Sequence, residues 1–403
     1  MNRSRRVWLQ GALASAALLP FGAAARAQSA RTPFPQWVAS FRAKAMAHGI
    51  SARTYDSVMG TLKPDTSVYA LQRAQPEFQE QTWQYLNRRV SDWRITTGRE
   101  VAKQHASLLA RVEHAYGVDR YVLLALWGVE SAYGDPVVQQ KYMRPVFPAL
   151  AALAWGEPRR RAYWEKELLN ALTIVERGWS TPAQMRGSWA GAMGHTQWMP
   201  EVWLNMGVDF DRDGRISPFG HPADALAGTA RYLLERGKYR RNEPWGYEVK
   251  GKASGKARTY AAWRAHGVHR ADGKAFDRPH ASARPWTPVP GGPSFLLGPN
   301  FFSVRSYNPS MNYALAIAHL ADRIRGGGSF VHPFPGSERT PTLAELKELQ
   351  QRLTKAGFDT GGVDGRVGSD TMRAVRTYQQ KVGMEPADGY AGLKVLARLR
   401  QAP

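Results

Sequence analysis

A single carboxylate, Glu130, ends an apolar run, Tyr121-Val-Leu-Leu-Ala-Leu-Trp-Gly-Val129, and is followed by Ser131-Ala-Tyr-Gly134. Apolar surroundings and the C-terminal end of a helix both disfavour a negative charge. Such an acid is expected to keep its proton near neutral pH and to donate it to a leaving group. Breaking a glycosidic bond requires such a proton. On its own, a Glu is more often a surface carboxylate paired with an arginine. A second segment, Gly187-Ser-Trp-Ala-Gly-Ala-Met-Gly-His-Thr-Gln-Trp-Met-Pro200, shifts the balance because it is dense in glycine, small polar residues and aromatics. Glycines let backbone approach a ligand, Ser188 and Gln197 offer hydrogen bonds, and Trp189, Trp198 and Met199 offer flat apolar surfaces for sugar rings.

Positioning these groups falls mainly to helices. The run before Glu130 predicts a buried helix, capped by Asp119 and stopped by Gly134, with Glu130 in its last turn. Residues from Pro35 to about Arg236 read as mostly helical, with Trp83-Gln-Tyr-Leu86 and Tyr163-Trp-Glu-Lys-Glu-Leu-Leu169 as core faces. From Gly237 to Gly298 glycine, proline, lysine and arginine dominate, and pieces such as Tyr247-Glu-Val249 predict an irregular or small β-containing insertion. Helical periodicity returns from Met311 to Ile324, and Gly326-Gly-Gly328 with the prolines to Pro341 forms a linker. Beyond it, Leu349-Gln-Gln-Arg-Leu353 predicts one helix, and Asp364-Gly-Arg-Val-Gly368 a turn. Ser369 or Asp370 starts a second helix, and Asp388-Gly389 repeats the turn before a third.

The pairing of Gly128-Val-Glu-Ser-Ala-Tyr-Gly134 with Gly187–Pro200 resembles the lytic murein transglycosylase B family, whose catalytic domain is related to goose-type lysozyme. The likeness continues through Val208–Ile216, Pro222-Ala-Asp-Ala-Leu226 and Asn300–Leu315. Leu343 to Leu399 resembles the three-helix peptidoglycan-binding domain, although Ala391-Gly-Leu-Lys394 departs from the common G-x-x-T after the final Asp-Gly. The fold class expected is mainly α. It combines a lysozyme-like helical catalytic domain bearing a small irregular or β insertion with a C-terminal three-helix peptidoglycan-binding domain. The expected division is a signal peptide over 1–27, a catalytic domain over 28–328, a linker over 329–342 and a peptidoglycan-binding domain over 343–400.

The resemblance implies non-hydrolytic cleavage of peptidoglycan between N-acetylmuramic acid and N-acetylglucosamine, leaving a 1,6-anhydro end. Glu130 then serves as the sole general acid and base. Ser188 and Gln197 bind the sugar near the cleaved bond, and Tyr307, Asn308 and Tyr313 form the opposite wall, with Tyr313 orienting or buffering Glu130. Tyr307-Asn308 also reads as the turn entering the Met311 helix, with Asn308 as its cap. A lysozyme-type hydrolase would need a second carboxylate. Asp135 is near in sequence, but it follows Gly134 and reads as a turn or cap residue. A non-catalytic wall-binding protein is the other alternative, and the joint presence of Glu130, Ser188, Gln197 and Tyr313 counts against it.

Asp209-Phe-Asp-Arg-Asp-Gly-Arg215 has the acidic and glycine spacing of an EF-hand calcium loop, but Gly220 stands where the closing Glu belongs. Asp224 is the substitute, giving Asp209, Asp211, Asp213 and Asp224 as the candidate set, with an extra residue before Pro222. No cofactor is expected to be required, and calcium is structural at most; an unloaded acidic turn competes. His266, His269 and His280 lack metal-ligand spacing and read as surface loop. His195, inside the saccharide segment, is not expected to be catalytic.

With 403 residues the chain has room for two or three domains. Arg3, Arg5 and Arg6, the apolar stretch Val7 to Ala25, and Ala25-Arg-Ala27 predict a signal peptide. Ser4-Arg-Arg-Val-Trp-Leu-Gln10 resembles a twin-arginine export signal, from which Trp8 and Gln10 depart, so the Sec route stays open. The absence of cysteine excludes disulfides, a cysteine nucleophile and the usual lipid attachment point. No later stretch is long and apolar enough to span a bilayer, so a soluble periplasmic monomer is expected. The net charge of +22 suits nucleic acid or an anionic wall. Export, and clusters as short as Arg159-Arg-Arg161, favour peptidoglycan glycan strands, with other cell-wall enzymes as further partners and no nucleic acid.

Overall fold

A computed structural model describes residues 32–73 and 80–401; the expected signal peptide lies outside the described residues. These residues form 18 α-helices with a two-stranded and a five-stranded sheet.

The helix Arg120–Ser131 runs through the core, as its composition demands. Leu123, Leu124, Ala125 and Leu126 are fully buried, and Asp119 accepts a hydrogen bond from the Tyr121 N–H at 2.8 Å. The helix ends earlier than expected. Ala132, not Gly134, takes the first left-handed position (φ 54°), followed by Tyr133 (φ 62°) and Gly134 (φ 77°). Two side-chain-bearing residues in that region cost about 1–3 kcal/mol each. The cost is offset by the Tyr133 ring folding back into the core, where its hydroxyl donates to the Arg94 carbonyl at 2.7 Å. Gly128 makes the room, because a Cβ there would lie 2.5 Å from that ring.

Against this helix packs Met311–Arg325, capped by the Ser310 hydroxyl, which accepts from the Tyr313 N–H at 3.3 Å, and stopped by Gly326 at φ 113°. A second core joins Phe34–Ala47, Ala52–Met59, Val146–Gly156 and Arg161–Glu176. Trp164 and Leu168 are buried in it, as read from the sequence. Of the other segment read as a core face, Tyr85 and Leu86 are buried, but Trp83 is half-buried and stands edge-on to Tyr390, with centroids 4.8 Å apart.

The insertion forms an antiparallel sheet in the spatial order Arg258–Thr259, Ser282–Trp286, Ser294–Leu297, Gly246–Lys250, His269–Arg270. His266 and His280 are exposed outside its strands, whereas His269, read as surface loop, is exposed on the edge strand His269–Arg270. Leu343–Lys355, Ser369–Lys381 and Leu393–Gln401 surround their own core of Leu349, Leu353, Val375 and Leu396, and Thr342 with Glu345 forms a capping box at the start. This unit is docked on the rest of the chain. Gln84 Nε2 donates to Asp388 at 2.6 Å, Asn87 Nδ2 to the Tyr390 hydroxyl at 2.9 Å, and the Leu343 N–H to Asp92 at 3.2 Å. The segment before it is strapped down too, since the Val331 and His332 N–H groups donate to Glu248 at 2.7 and 2.8 Å, and Phe330 stacks on His319 at 3.9 Å.

His319 is 8% exposed, and burial, reinforced by the Arg323 charge, pulls its pKa down to about 3. The unfolded chain takes up a proton near pH 6.5 that the folded chain refuses. The stability contributed by the neutral ring is therefore complete above about pH 6.5 and drains away as pH falls toward 3. Urea unfolding at pH 7 and at about pH 4.5 should show His319→Gln losing roughly 2–3 kcal/mol less than the parent over that interval. Equal losses in both chains would remove this residue from the acid response.

Candidate active site

Glu130 leaves the last turn of its helix and accepts a hydrogen bond from the Tyr313 hydroxyl through Oε1. Tyr313 is 3% exposed. Burial first, and the Glu130 charge second, hold its pKa well above 10, so its hydroxyl stays a donor at any working pH. Tyr307, the last residue of the helix Pro299–Tyr307, donates to the Thr196 carbonyl at 2.7 Å, and burial together with the same Glu130 charge raises its pKa. Asn308 does not cap the following helix; Ser310 does. The Asn308 side chain instead accepts from the Ser310 N–H at 3.1 Å and shapes the turn.

The segment from Gly187 to Pro200 is a compact loop tied by paired Met193–Trp198 backbone bonds, both 2.8 Å. It is pinned to the Glu130 helix at two points: the Ser131 hydroxyl donates to the His195 carbonyl at 2.6 Å, and the Trp127 indole N–H to His195 Nδ1 at 3.1 Å. Accepting at Nδ1, His195 carries its proton on Nε2, which donates to the Gly220 carbonyl at 2.8 Å. Burial lowers its pKa, so this neutral ring is a structural pin. Gly194, at φ 73°, is the one residue type that fits its position, because a Cβ would sit 2.1 Å from the Pro218 carbonyl oxygen.

Ser188 Oγ accepts from the Ala190 and Ala192 N–H groups at 3.3 and 3.2 Å, which leaves its O–H to donate elsewhere. Gln197, at φ 55°, donates its side-chain amide N–H to the Gly194 carbonyl at 3.0 Å, and its side-chain carbonyl accepts no hydrogen bond from a described residue. The aromatics divide differently from the reading of all three apolar side chains as sugar platforms. Trp198 is fully buried, with its N–H on Thr229 Oγ1 at 3.1 Å, so it belongs to the core; Trp189 and Met199 are half-buried.

Glu130 lines a cavity of about 370 Å³ together with Arg88, Arg94, Lys141 and Met143, and with Asp364, Arg366 and Asp370 from the C-terminal unit. Ser188, Gln197, Tyr307 and Asn308 are not among its lining residues; Gln197 reaches the cavity wall through Met143, 3.9 Å from its sulfur. Arg94 donates to the Gly128 and Arg88 carbonyls at 3.1 and 2.8 Å, and burial pulls its pKa down to about 9, still cationic at neutral pH. Asp135 caps the next turn, accepting from the Val137 N–H at 2.8 Å, and pairs with Arg366 at 2.7 Å. Lys141 pairs with Asp370 at 2.7 Å. Arg94, Lys141 and Arg366 escaped sequence reading because they come from three distant segments of a chain holding 55 basic residues. Their one local signal is Arg94 beside Trp93, whose ring lies 4.2 Å from the Arg366 guanidinium.

In the acidic loop, carboxylate oxygens of Asp209, Asp211 and Asp213 lie within 4.8 Å of one another, and Asp211 Oδ1 is buried without a hydrogen-bond partner. An orphaned oxygen among carboxylates fits a hard cation. Asp224 differs from its expected place as the fourth ligand. Its oxygens accept from the Phe210 and Ser217 N–H groups at 2.8 and 3.0 Å, so it braces the loop from within, and His221 stands beside Asp211 at 3.2 Å.

Residues 33–322 match the family described as transglycosylase SLT domain, and residues 342–399 match the putative peptidoglycan binding domain. The chain is 27% identical over 282 residues to the membrane-bound lytic murein transglycosylase B of Escherichia coli (strain K12), covering 68% of this chain and 75% of that relative. Among solved structures, SltB3 from Pseudomonas aeruginosa in complex with NAG-anhNAM-pentapeptide is 37% identical, covers 92% of this chain and 100% of its own, and superposes with a TM-score of 0.70. The Escherichia coli lytic transglycosylase SLT35 in complex with calcium is 25% identical, covering 73% and 93%, with a TM-score of 0.61. With a lysozyme-like helical body matched over most of its length, this chain belongs to the transglycosylase SLT domain family and carries a peptidoglycan-binding domain after it.

Proposed function

We propose that this chain is a lytic transglycosylase that cleaves the β-1,4 bond between N-acetylmuramic acid and N-acetylglucosamine, with Glu130 as sole acid and base. What carries this reading is the pairing of Glu130 with the buried Tyr313 donor. The neighbouring carboxylates are committed elsewhere: Asp135 to Arg366, Asp370 to Lys141, and Asp364 to the Gln350 amide at 3.0 Å. A hydrolase would need one of them to activate water. Glu130 protonates the glycosidic oxygen as the bond to C1 breaks, and the acetamido group of the muramoyl ring stabilises the cationic centre. The resulting carboxylate removes the proton from the O6 hydroxyl as O6 bonds to C1, so the proton balance closes without water. Tyr313 orients the carboxylate through both steps, the Ser188 hydroxyl and Gln197 carbonyl hold the sugar, and Tyr307 and Asn308 shape the facing wall.

Residues 28–328 carry the chemistry, 329–342 link, and 343–400 hold the wall. Residues 1–27 direct export to the periplasm, where the protein acts as a monomer without a lipid anchor. No helix among the described residues is long and apolar enough to cross a membrane. Digestion of purified peptidoglycan should release muropeptides one water lighter than hydrolysed ones and lacking a reducible end. Reducible products would make the protein a hydrolase.

Calcium in the Asp209–Asp213 loop is a structural ion that draws the three carboxylates together, supported by the relative solved with calcium. Added to chelated protein, it should release heat and raise the melting temperature by several degrees, and Asp211→Asn should remove both effects. No heat and no thermal shift in the parent would dismiss the ion.

A further inference from the structure

A second cavity, of about 620 Å³, lies beneath segment 329–342, and no step of the proposed reaction uses it. One wall is the helix Met311–Arg325, on which His319 and Arg323 stand one turn apart. The His319 imidazole, nine-tenths buried, makes no hydrogen bond to a described residue and stacks on Phe330 at 3.9 Å, and the Arg323 guanidinium donates through Nη1 to Ser329 at 3.0 Å.

The same cavity is lined by the aromatic rings of Trp83, Phe330 and Phe334, and by the Ser337 hydroxyl. Its charges balance, with Asp92 and Glu338 against Arg323 and Arg339, in a chain whose net charge is +22. A polyanion is therefore not its fitting ligand. Aromatic faces beside dispersed neutral donors and acceptors match a pyranose, whose rings present apolar C–H faces and hydroxyl edges, and the volume suits a small oligosaccharide. Arg323 adds a place for one carboxylate or amide oxygen.

We infer that this cavity is a second saccharide subsite, separate from the Glu130 cleft, which binds an N-acetylated amino-sugar unit of peptidoglycan. The inference rests on the peptidoglycan reading, and its test separates the two. The full chain bearing Glu130→Gln is titrated calorimetrically with the disaccharide N-acetylglucosaminyl-N-acetylmuramic acid. Two sites are expected. Adding Trp83→Ala or Arg323→Gln should weaken one of them at least tenfold and leave the other unchanged, with melting curves confirming a folded chain. If either substitution prevents folding, hydrogen exchange over residues 329–342 in the Glu130→Gln chain replaces it, and protection by the disaccharide is expected. A single site, no protection, or protection by a stem tripeptide but not by the disaccharide would overturn the inference. Anhydro products from the Glu130-containing chain together with a single saccharide site would overturn the subsite alone. Two sites that neither substitution weakens would overturn the subsite, whereas two sites, one of them weakened by either substitution, without such products would overturn the transglycosylase reading and uphold the subsite.

Discussion

Glu130→Gln is expected to lower the release of anhydromuropeptides by at least about 10³-fold, because in the proposed mechanism one carboxyl performs both proton transfers and each is worth about 10²–10⁴-fold. The amide keeps the shape of the side chain, and its oxygen still accepts from the Tyr313 hydroxyl. Fold and wall binding should therefore survive. Mass spectrometry of digested peptidoglycan reads the loss, and co-sedimentation with insoluble peptidoglycan reads the retained binding. Turnover above about a tenth of the parent's would end the assignment of Glu130 as the proton donor, since that is below the least that a general acid contributes.

Trp198→Ala should have the largest effect on stability, about 3–5 kcal/mol, as for other fully buried tryptophans. Its ring is seated against Gly228 so closely that a Cβ there would lie 2.4 Å away, and its N–H is bonded to Thr229. Truncation opens a cavity between the Gly187–Pro200 loop and the helix Ala223–Glu235, and Thr229 loses the indole donor while keeping its bond to Thr196, 2.8 Å. Urea unfolding measures the loss. A change under about 1 kcal/mol would mean that the site collapses around the gap and that Trp198 is no pillar of the loop.

Trp198 also marks where sequence reading stops. Composition located the loop, but an aromatic residue among glycines carries no periodicity, so nothing in the sequence says which way each ring turns. The Glu130 helix was legible because a continuous apolar run leaves a helix no exposed face, and Asp119 is a strong cap. Its stop was misplaced because Tyr133 wins enough burial to accept a left-handed backbone that glycine would take more cheaply. Asp224 was legible as belonging to the acidic loop but not as its internal brace, since spacing cannot distinguish a carboxylate facing a cation from one facing two backbone N–H groups. Arg94, Lys141 and Arg366 were invisible for a simpler reason. They meet only after folding, and a charge in a basic chain carries no address.

The docking of the C-terminal unit alters what such a unit can contribute. A module on a loose leash raises encounter frequency and leaves direction to chance. Here Gln84–Asp388, Asn87–Tyr390, Asp135–Arg366 and Lys141–Asp370 fix it to the helical body from several sides. Under the proposed function, its grip on the wall thus becomes a compass bearing for the whole molecule: a lattice holding residues 342–399 would also dictate the angle at which a strand meets Glu130.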